Sequence, residues 1–226
     1  MDINNDGKKD IIAGDTKGDI TLFLNTGEKG KPMLAAGEKL KADGKTIKAT
    51  EVIYKVEDGR TIKDKVIPGS HELSLVYSKL HVADWDADGL ADLLVGHDDT
   101  IIFYKNTGGK TAPEFAAPKL IENPEGKFPA RPSPFVVDWD GDGKKDLLSG
   151  GEKPVITFYR NVGTAQEPKL AEGVDLKLAG PEFDKGYRCR IDVTDWNNDG
   201  KPDILVGNYF SHKKPSGGNI WLFLGK

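Results

Sequence analysis

A nine-residue acidic string occurs four times in this 226-residue chain, and it constrains the fold more than any other feature. The copies fit the pattern D-x-[DN]-x-D-G-x-x-D and read DINNDGKKD from Asp2, DWDADGLAD from Asp84, DWDGDGKKD from Asp138 and DWNNDGKPD from Asp195. One match to such a pattern can arise by chance, but four matches in similar surroundings indicate an internal repeat. The repeats begin near residues 2, 80, 134 and 190.

Each string is followed by two short runs that are typical of β-strands. The first run reads IIAG, LLVG, LLSG or ILVG, and the second reads ITLFLNTG, IIFYKNTG, ITFYRNVG or IWLFLGK. Both are rich in β-branched and aromatic residues and are bounded by Gly and Asn. A further strand-like run precedes three of the strings, and a proline-containing segment follows three of the second runs. The sequence therefore predicts an all-β fold of four-stranded antiparallel blades, each about 55 residues long, as in a β-propeller.

The four repeats are not equal in length. The first lacks the strand before its string and the last lacks a fourth strand, so we expect three, four, four and three strands. An insertion at about 41–77 separates the first two strings, and within it EVIYKVEDGRTIKDKVI predicts a hairpin that turns at Asp58-Gly59. We expect residues 1–226 to form a single β-propeller domain or a propeller segment, with exposed edge strands that favour self-association or completion of blades by another chain.

The spacing of the acidic residues predicts a calcium site in each string. Calcium binds six to eight hard oxygen atoms, and side chains at positions 1, 3 and 5 with the carbonyl of position 7 supply several of them around a glycine bend. An EF-hand loop would end in a glutamate at position 12, where this chain has Ala13, Val95, Ser149 and Val206. An aspartate occupies position 9 instead, so the loop is shorter. The competing interpretation is a set of Asp-rich turns that bind no metal.

Up to four Ca²⁺ ions are therefore expected. The two strings with Asn at position 3 carry one negative charge fewer, and we expect them to bind more weakly. The residues at position 2 (Ile3, Trp85, Trp139 and Trp196) are expected to pack into the blades. The predicted metal ligands are Asp2, Asn4, Asp6, Lys8 and Asp10; Asp84, Asp86, Asp88, Leu90 and Asp92; Asp138, Asp140, Asp142, Lys144 and Asp146; and Asp195, Asn197, Asp199, Lys201 and Asp203.

The combination of the acidic string, a D-[LI]-L-[VS]-G run and a strand that ends in N-x-G resembles the FG-GAP/VCBS repeat family. The resemblance covers almost the whole chain apart from the insertion. It implies a calcium-binding β-propeller like those of integrin α heads, secreted bacterial proteins and propeller-type rhamnogalacturonan lyases. It also implies that the calcium ions are mainly structural and tie the loop between the first two strands of a blade.

A second group of residues is a candidate ligand site at the start of the innermost strands. Arg131 and Arg188 both lie seven residues before an acidic string, and Tyr77 holds the equivalent position in another repeat. Tyr187 and Arg190 are close in sequence, and we expect these side chains to come together around one mouth of the central channel. Such side chains suit the carboxylates of acidic sugars or proteins. The alternative is that they bond backbone carbonyls and only support the fold.

These observations favour a non-catalytic, calcium-stabilised module that binds a glycan or a protein outside the cell or on its surface. No catalytic motif stands out, and the net charge of −4 does not favour nucleic-acid binding. Nor does any apolar run reach the roughly 18 residues of a membrane span. Two alternatives remain open. One is part of a polysaccharide lyase similar to the rhamnogalacturonan lyases, and the other is a structural subunit that assembles through open blade edges.

Overall fold

The computed structural model describes residues 1–47, 50–58, 60–68, 78–178, 183, 186–211 and 215–225. The secondary-structure elements of this part of the chain are β-strands, and they pair in antiparallel sheets, which confirms the all-β prediction. Among the described residues, no helix has the length and apolar character needed to cross a membrane.

The first repeat forms a three-stranded sheet, and the insertion that follows it forms two hairpins. The first hairpin turns at Asp43 and Gly44, both with positive φ, which is the geometry of a tight two-residue hairpin turn. The predicted second hairpin is confirmed by the pairing of Glu57 with Arg60, although Gly59 lies outside the described residues. The strands are β1 (Ile11–Gly14), β2 (Ile20–Phe23) and β3 (Glu38–Lys39) in the sheet, then β4 (Lys41–Ala42), β5 (Lys45–Thr46), β6 (Thr50–Glu57) and β7 (Arg60–Pro68) in the insertion.

The other three repeats form sheets of four, four and three strands, the numbers that the sequence predicts. The second sheet contains β8 (Lys79–Ala83), β9 (Asp92–His97), β10 (Thr100–Tyr104) and β11 (Lys119–Leu120). The third contains β12 (Ser133–Val137), β13 (Asp146–Gly150), β14 (Thr157–Tyr159) and β15 (Val174–Asp175). The fourth contains β16 (Tyr187–Thr194), β17 (Asp203–Phe210) and β18 (Gly217–Phe223).

Every acidic string is the loop between the first two strands of its sheet, and a strand pair closes it. The residue before the string pairs with the aspartate at position 9, as in Ala83 with Asp92, Val137 with Asp146 and Thr194 with Asp203. In the first repeat the Asp10 N–H donates to the Met1 carbonyl in the same way, at 2.5 Å. Backbone pairing alone thus holds the two ends of each string side by side.

The chain forms two compact units, each with its own core. Residues 1–97 and 102–121 form the first unit, and residues 98–101 and 122–226 form the second. Strands β1 and β8 are in contact within the first unit, and β12 and β13 contact β16 within the second. Ile20, Leu93 and Tyr104 lie in the first core, whereas Leu148, Cys189 and Val206 lie in the second.

Strands β9 and β13, the second strands of the two middle sheets, are buried on both faces, which explains why apolar and polar residues do not alternate along them. The end sheets differ, because Ile11 on β1 is 49% exposed and Ile220 on β18 is 81% exposed. Ile11 and Ile220 therefore lie on apolar surfaces that the described residues leave open to solvent.

The N-x-G turn after the third strand has the same construction in three repeats. In the second repeat the Asn106 side-chain oxygen accepts the N–H groups of Gly108 and Glu114 at 3.0 and 3.1 Å. Asn25 and Asn161 do the same in their repeats. The glycine is required by space, since a Cβ at Gly108 would lie 2.4 Å from the Ala112 carbonyl oxygen. In these three repeats the motif therefore fixes the point at which the chain turns back after the third strand.

Cys189 provides a probe of this packing, because it is fully buried in the core of the second unit. Burial raises the pKa of its thiol to about 11, and only the thiolate reacts readily with alkylating reagents. We expect native protein at about pH 8 to resist iodoacetamide, whereas protein in denaturant reacts fully. Mass spectrometry over time measures the modification. Equal labelling rates in the two conditions would contradict the buried position.

Candidate metal sites and an arginine cluster

We call the four acidic strings loops 1 to 4, at residues 2–10, 84–92, 138–146 and 195–203. Each loop is organised by its own carboxylates, which accept backbone N–H groups. In loop 2, Asp84 accepts the N–H groups of Asp88 and Gly89, both at 3.0 Å. Asp88 accepts the N–H of Leu90 at 2.9 Å. Loops 1 and 4 repeat all three bonds, and loop 3 repeats two of them.

Two backbone positions in each loop take left-handed conformations. The glycine at position 6 has φ between 84° and 85° in all four loops, as the sequence predicted. Position 4 is also left-handed, and there the side chains include Asn5 and Ala87, with φ of 55° and 54°. Ala87 has no side-chain hydrogen bond that could favour this conformation, so the loop around it must hold the strain.

The aspartate at position 9 is a buried clamp between three parts of its repeat. In loop 3, Asp146 accepts the N–H of Trp139 at 3.0 Å through one oxygen and that of Asn161 at 2.7 Å through the other. It is fully buried, and the same pair of bonds occurs at Asp10, Asp92 and Asp203. This side chain therefore joins the start of the loop to the end of the third strand without any metal.

Two of the loops have carboxylates that are close enough to hold a metal ion. Ligand oxygens of Asp84, Asp86 and Asp88 lie within 4.8 Å of one another, as do those of Asp138, Asp140 and Asp146. The Asp86 and Asp138 Oδ1 atoms are buried and have no hydrogen-bond partner among the described residues. A buried carboxylate oxygen without a partner is costly, and a cation would remove that cost. The donor set fits a hard divalent ion, since every member is an oxygen.

The electrostatics of loop 2 point the same way. Burial raises the pKa of Asp92 to about 6, and the negative charges of Asp86 and Asp88 act in the same direction. The N–H groups of Asn106 and Trp85 oppose this rise only in part. The surroundings of Asp92 therefore disfavour its charged form.

Two basic residues that the sequence analysis did not identify also reach into the loops. Lys105 pairs with both Asp86 and Asp88, and its ammonium lies 2.6 Å from the Asp88 carboxylate. Arg160 pairs in the same way with Asp140 at 2.6 Å and Asp142 at 3.1 Å. Both follow the third strand and directly precede the asparagine of the N-x-G turn. Their shared position in the repeat was the signal that sequence analysis could have used, but each basic residue lies 17 to 20 residues from the carboxylates that it contacts.

The residue at position 2 behaves as predicted in some loops only. Ile3 and Trp85 are buried, and Trp139 is half-buried against the core of the second unit. The prediction is wrong for Trp196, which is 59% exposed. Its loop belongs to the last sheet, whose third strand β18 also has exposed apolar side chains, so the described residues provide little for it to pack against.

The predicted ligand residues of the second unit lie together around Glu152. The Arg131 Nη1 and Arg188 Nε atoms lie 3.4 and 3.7 Å from its two carboxylate oxygens. Arg190 donates to the Cys189 carbonyl at 3.0 Å, and burial lowers its pKa, with Arg131 and Arg188 adding to the effect. The prediction that Arg131, Arg188 and Arg190 come together is therefore consistent with this cluster, and Glu152 is a member that the sequence analysis missed.

Aromatic rings complete this group, which we call the arginine cluster (Arg131, Glu152, Tyr187, Arg188, Arg190 and Tyr209). The Arg188 guanidinium lies 5.8 Å from the Tyr187 ring centre and 5.7 Å from that of Tyr209. These distances are within the range of a cation–π contact. The Tyr187 hydroxyl also bonds Ser211 at 2.5 Å. The remaining predicted residue, Tyr77, lies outside the described residues.

Arg131 and Arg188 share a backbone conformation that non-glycine residues rarely adopt. Their φ values are 57° and 61°, and they hold the same position in successive repeats. The Arg131 N–H donates to the Asp98 carbonyl, and the Arg188 N–H donates to the equivalent Glu152 carbonyl at 2.9 Å. Hydrogen bonds to the preceding repeat therefore position the backbones of both arginines.

A groove of about 580 Å³ adjoins the cluster through Ala130 and Glu152. Lys127 and Lys153 also line it, with the aromatic ring of Phe128. The surface beside the arginines is thus concave, and besides these two lysines it contains the carboxylates of Asp99 and Asp175. It has room for a ligand that extends beyond a single carboxylate.

The clamp at position 9 can be tested without metal. We expect Asp146→Ala to lower the free energy of unfolding by about 3 kcal/mol in chelator, because the Trp139 and Asn161 N–H groups lose their acceptor. Urea unfolding followed by circular dichroism measures the change. Glu122→Ala, at a carboxylate outside the four loops, is the matched control. A loss that is seen only when calcium is present would show that Asp146 acts only through metal.

Comparison with known families finds two matches in this chain. The FG-GAP-like repeat matches residues 84–149 and 138–206, and the FG-GAP repeat matches residues 190–223. Together they span loops 2 to 4 and the sheets around them. A search of curated proteins found no match to the chain.

Proposed function

The chain belongs to the FG-GAP repeat family, and from this premise we propose that it is a calcium-stabilised β-propeller module that binds an acidic ligand outside the cell or on its surface. The observation that carries the binding role is the arginine cluster. Two guanidinium groups pair with one glutamate there and that of Arg190 lies close by, which leaves an excess of positive charge within the cluster, beside a groove.

The propeller arrangement is supported by the four repeats and their sheets. The sheets have three, four, four and three strands, and within each unit the first strand of one sheet contacts the sheet before it. This is the connectivity of successive propeller blades. In such an arrangement the first strand of each blade is the innermost, and the arginine cluster lies at the start of that strand.

Calcium is the metal that the donor set supports best. The ligands in loop 2 would be Asp84, Asp86 and Asp88 with the carbonyl of Leu90. Loop 3 would use Asp138, Asp140 and Asp146 with the carbonyl of Lys144. Calcium would supply a divalent counter-charge to carboxylates that otherwise repel one another. The family relationship and the near-millimolar calcium of extracellular fluids support a location outside the cell or on its surface.

An acidic glycan is the ligand that the cluster favours. Arg131 and Arg188 already bind the carboxylate of Glu152, and a uronic acid carboxylate presents the same group to the same donors. Tyr187 and Tyr209 are only half-buried, so parts of their rings are accessible to a sugar face. A protein segment rich in acidic residues would bind the guanidinium groups but would make fewer contacts with the Tyr187 and Tyr209 rings.

Removal of metal tests the stabilising role. We expect chelator to lower the Tm and added calcium to restore it, because a ligand that binds only the folded state stabilises it. The variant Asp142→Ala should reduce the gain that calcium provides, whereas Lys110→Ala, at an exposed lysine, should leave it unchanged. Scanning calorimetry in chelator and in calcium measures both. A Tm that does not respond to calcium would exclude a stabilising metal.

Binding of an oligogalacturonate tests the ligand site. We expect Arg188→Gln to weaken it about tenfold or more, because a charge-assisted bond to a carboxylate is lost. Lys177→Gln, at an exposed lysine outside both the arginine cluster and the metal loops, is the control. Isothermal titration calorimetry measures affinity, with a Glu-rich peptide as the second ligand.

The two ligands and the alternative functions give distinguishable results. Tighter binding of the peptide would favour a protein partner over a glycan. An unsaturated sugar product, detected by its ultraviolet absorbance, would instead identify a lyase. Failure of both ligands to bind at the cluster would contradict the binding role.

A further inference from the structure

The four loops are of two kinds, and the difference involves two positions that are far apart in sequence. Loops 2 and 3 have Asp at position 3, and in these repeats the residue that precedes the N-x-G turn is basic, Lys105 or Arg160. Loops 1 and 4 have Asn at position 3, and the equivalent residues are Leu24 and Leu224. The match between the two positions holds in all four repeats.

Contacts explain this match in the loops with Asp. In loop 2, Asp86 and Asp88 stand side by side, and the Lys105 ammonium bridges their Oδ2 atoms. In loop 3, Arg160 bridges Asp140 and Asp142 through two different nitrogen atoms. Two adjacent carboxylates repel each other, so a cation shared between them stabilises the closed loop.

The loops with Asn achieve the same closure without a cation from the third strand. The Asn4 amide donates to the Asp6 Oδ2 atom at 3.4 Å, and the Asn197 amide donates to the Asp199 Oδ2 atom at 3.0 Å. The amide nitrogen thus serves the position-5 carboxylate that Lys105 serves in loop 2. Because position 3 is uncharged, a basic residue is not needed, and leucine occupies its position.

We infer that Lys105 and Arg160 are internal counter-cations of loops 2 and 3, which hold these loops closed when calcium is scarce and weaken calcium binding there. The inference rests on the proposed calcium-binding function. The chain would then have two classes of metal loop. Loops 2 and 3 have a basic residue after the third strand close to position 3, whereas loops 1 and 4 have leucine there.

The oxygens that these cations use leave room for a metal. Lys105 takes the Oδ2 atoms of Asp86 and Asp88, whereas the buried Asp86 Oδ1 atom has no partner among the described residues. The cation and a metal can therefore use different oxygens of one carboxylate. A positive charge so close nevertheless opposes a second one, so calcium binds more weakly than it would without the lysine.

Loop 2 offers the cleaner test of the two. In loop 3, Lys144 at position 7 also lies 3.1 Å from Asp142, whereas position 7 of loop 2 is Leu90. Lys105→Leu introduces the residue found in the other class of loop. Lys105→Leu combined with Asp86→Asn converts loop 2 to that class completely. Lys110→Leu, at an exposed lysine in the turn after β10, is the control.

In chelator, we expect Lys105→Leu to lower the Tm by about 3 °C, since the two carboxylates then repel each other. The double variant should recover most of this loss, because the amide that Asp86→Asn introduces would donate to Asp88 as the amides of loops 1 and 4 do to their position-5 carboxylates. The control should change nothing. A loss that the double variant does not recover would mean that Lys105 acts through packing, and it would overturn the inference.

In calcium, we expect Lys105→Leu to bind the ion at loop 2 about tenfold more tightly than the parent protein. Titration followed by the amide resonance of Gly89 reports on loop 2 alone, and that of Gly7 reports on loop 1 as an internal reference. If neither resonance responds in the parent protein, the proposed calcium binding itself fails. If both respond but Lys105→Leu binds no more tightly, only the counter-cation role is wrong.

Discussion

The buried aspartate at position 9 is the interaction on which each repeat depends. Its two oxygens accept one N–H from the start of the acidic loop and one from the end of the third strand. A carboxyl group is therefore buried in four places, and the cost of its burial is offset because each one is bonded on both oxygens. The clamp fixes the loop against the sheet, and the shared geometry of the four loops follows from it. It also explains why an aspartate, and not a neutral residue, occupies this position in every copy.

Within a string the carboxylates have separate tasks. Position 1 accepts N–H groups from the glycine bend, and position 9 joins the loop to the sheet. Among the described residues, one buried oxygen lacks a partner in each of loops 2 and 3, namely Oδ1 of Asp86 at position 3 and Oδ1 of Asp138 at position 1. The backbone alone thus satisfies most of the acceptors, and what it leaves unsatisfied is confined to the centre of the loop. In the proposed function a metal ion serves that remainder, whereas the backbone bonds of the loop form without it. Loss of the position-9 aspartate should therefore affect stability even in chelator, whereas loss of the position-5 aspartate should affect the response to calcium.

The sequence predicts the local features of this chain well and the long-range ones poorly. The strings, the glycine bend and the strand runs are all encoded within about ten residues, and the strand numbers of the sheets agree with them. Lys105 and Glu152 were missed because their partners are 17 to 36 residues away in sequence. Such contacts can be predicted only once the pairing of the strands is known. Trp196 shows a related limit. Its position in the string equals that of Trp85, but burial depends on a neighbouring surface that the string does not specify.

The repeat frame also connects the metal loops to the proposed ligand site. The strand that leads into an acidic loop begins near Arg131 or Arg188, whose left-handed backbone is held by an N–H bond to the turn of the preceding repeat. The other end of that strand is held by the position-9 aspartate through the pair that closes the loop. A strand fixed at both ends can keep a strained residue in place, since neither end can shift to relieve it. The arginines are therefore positioned by the interactions that close the loops, and loosening a loop should disturb the cluster at the far end of the strand before it disturbs the core.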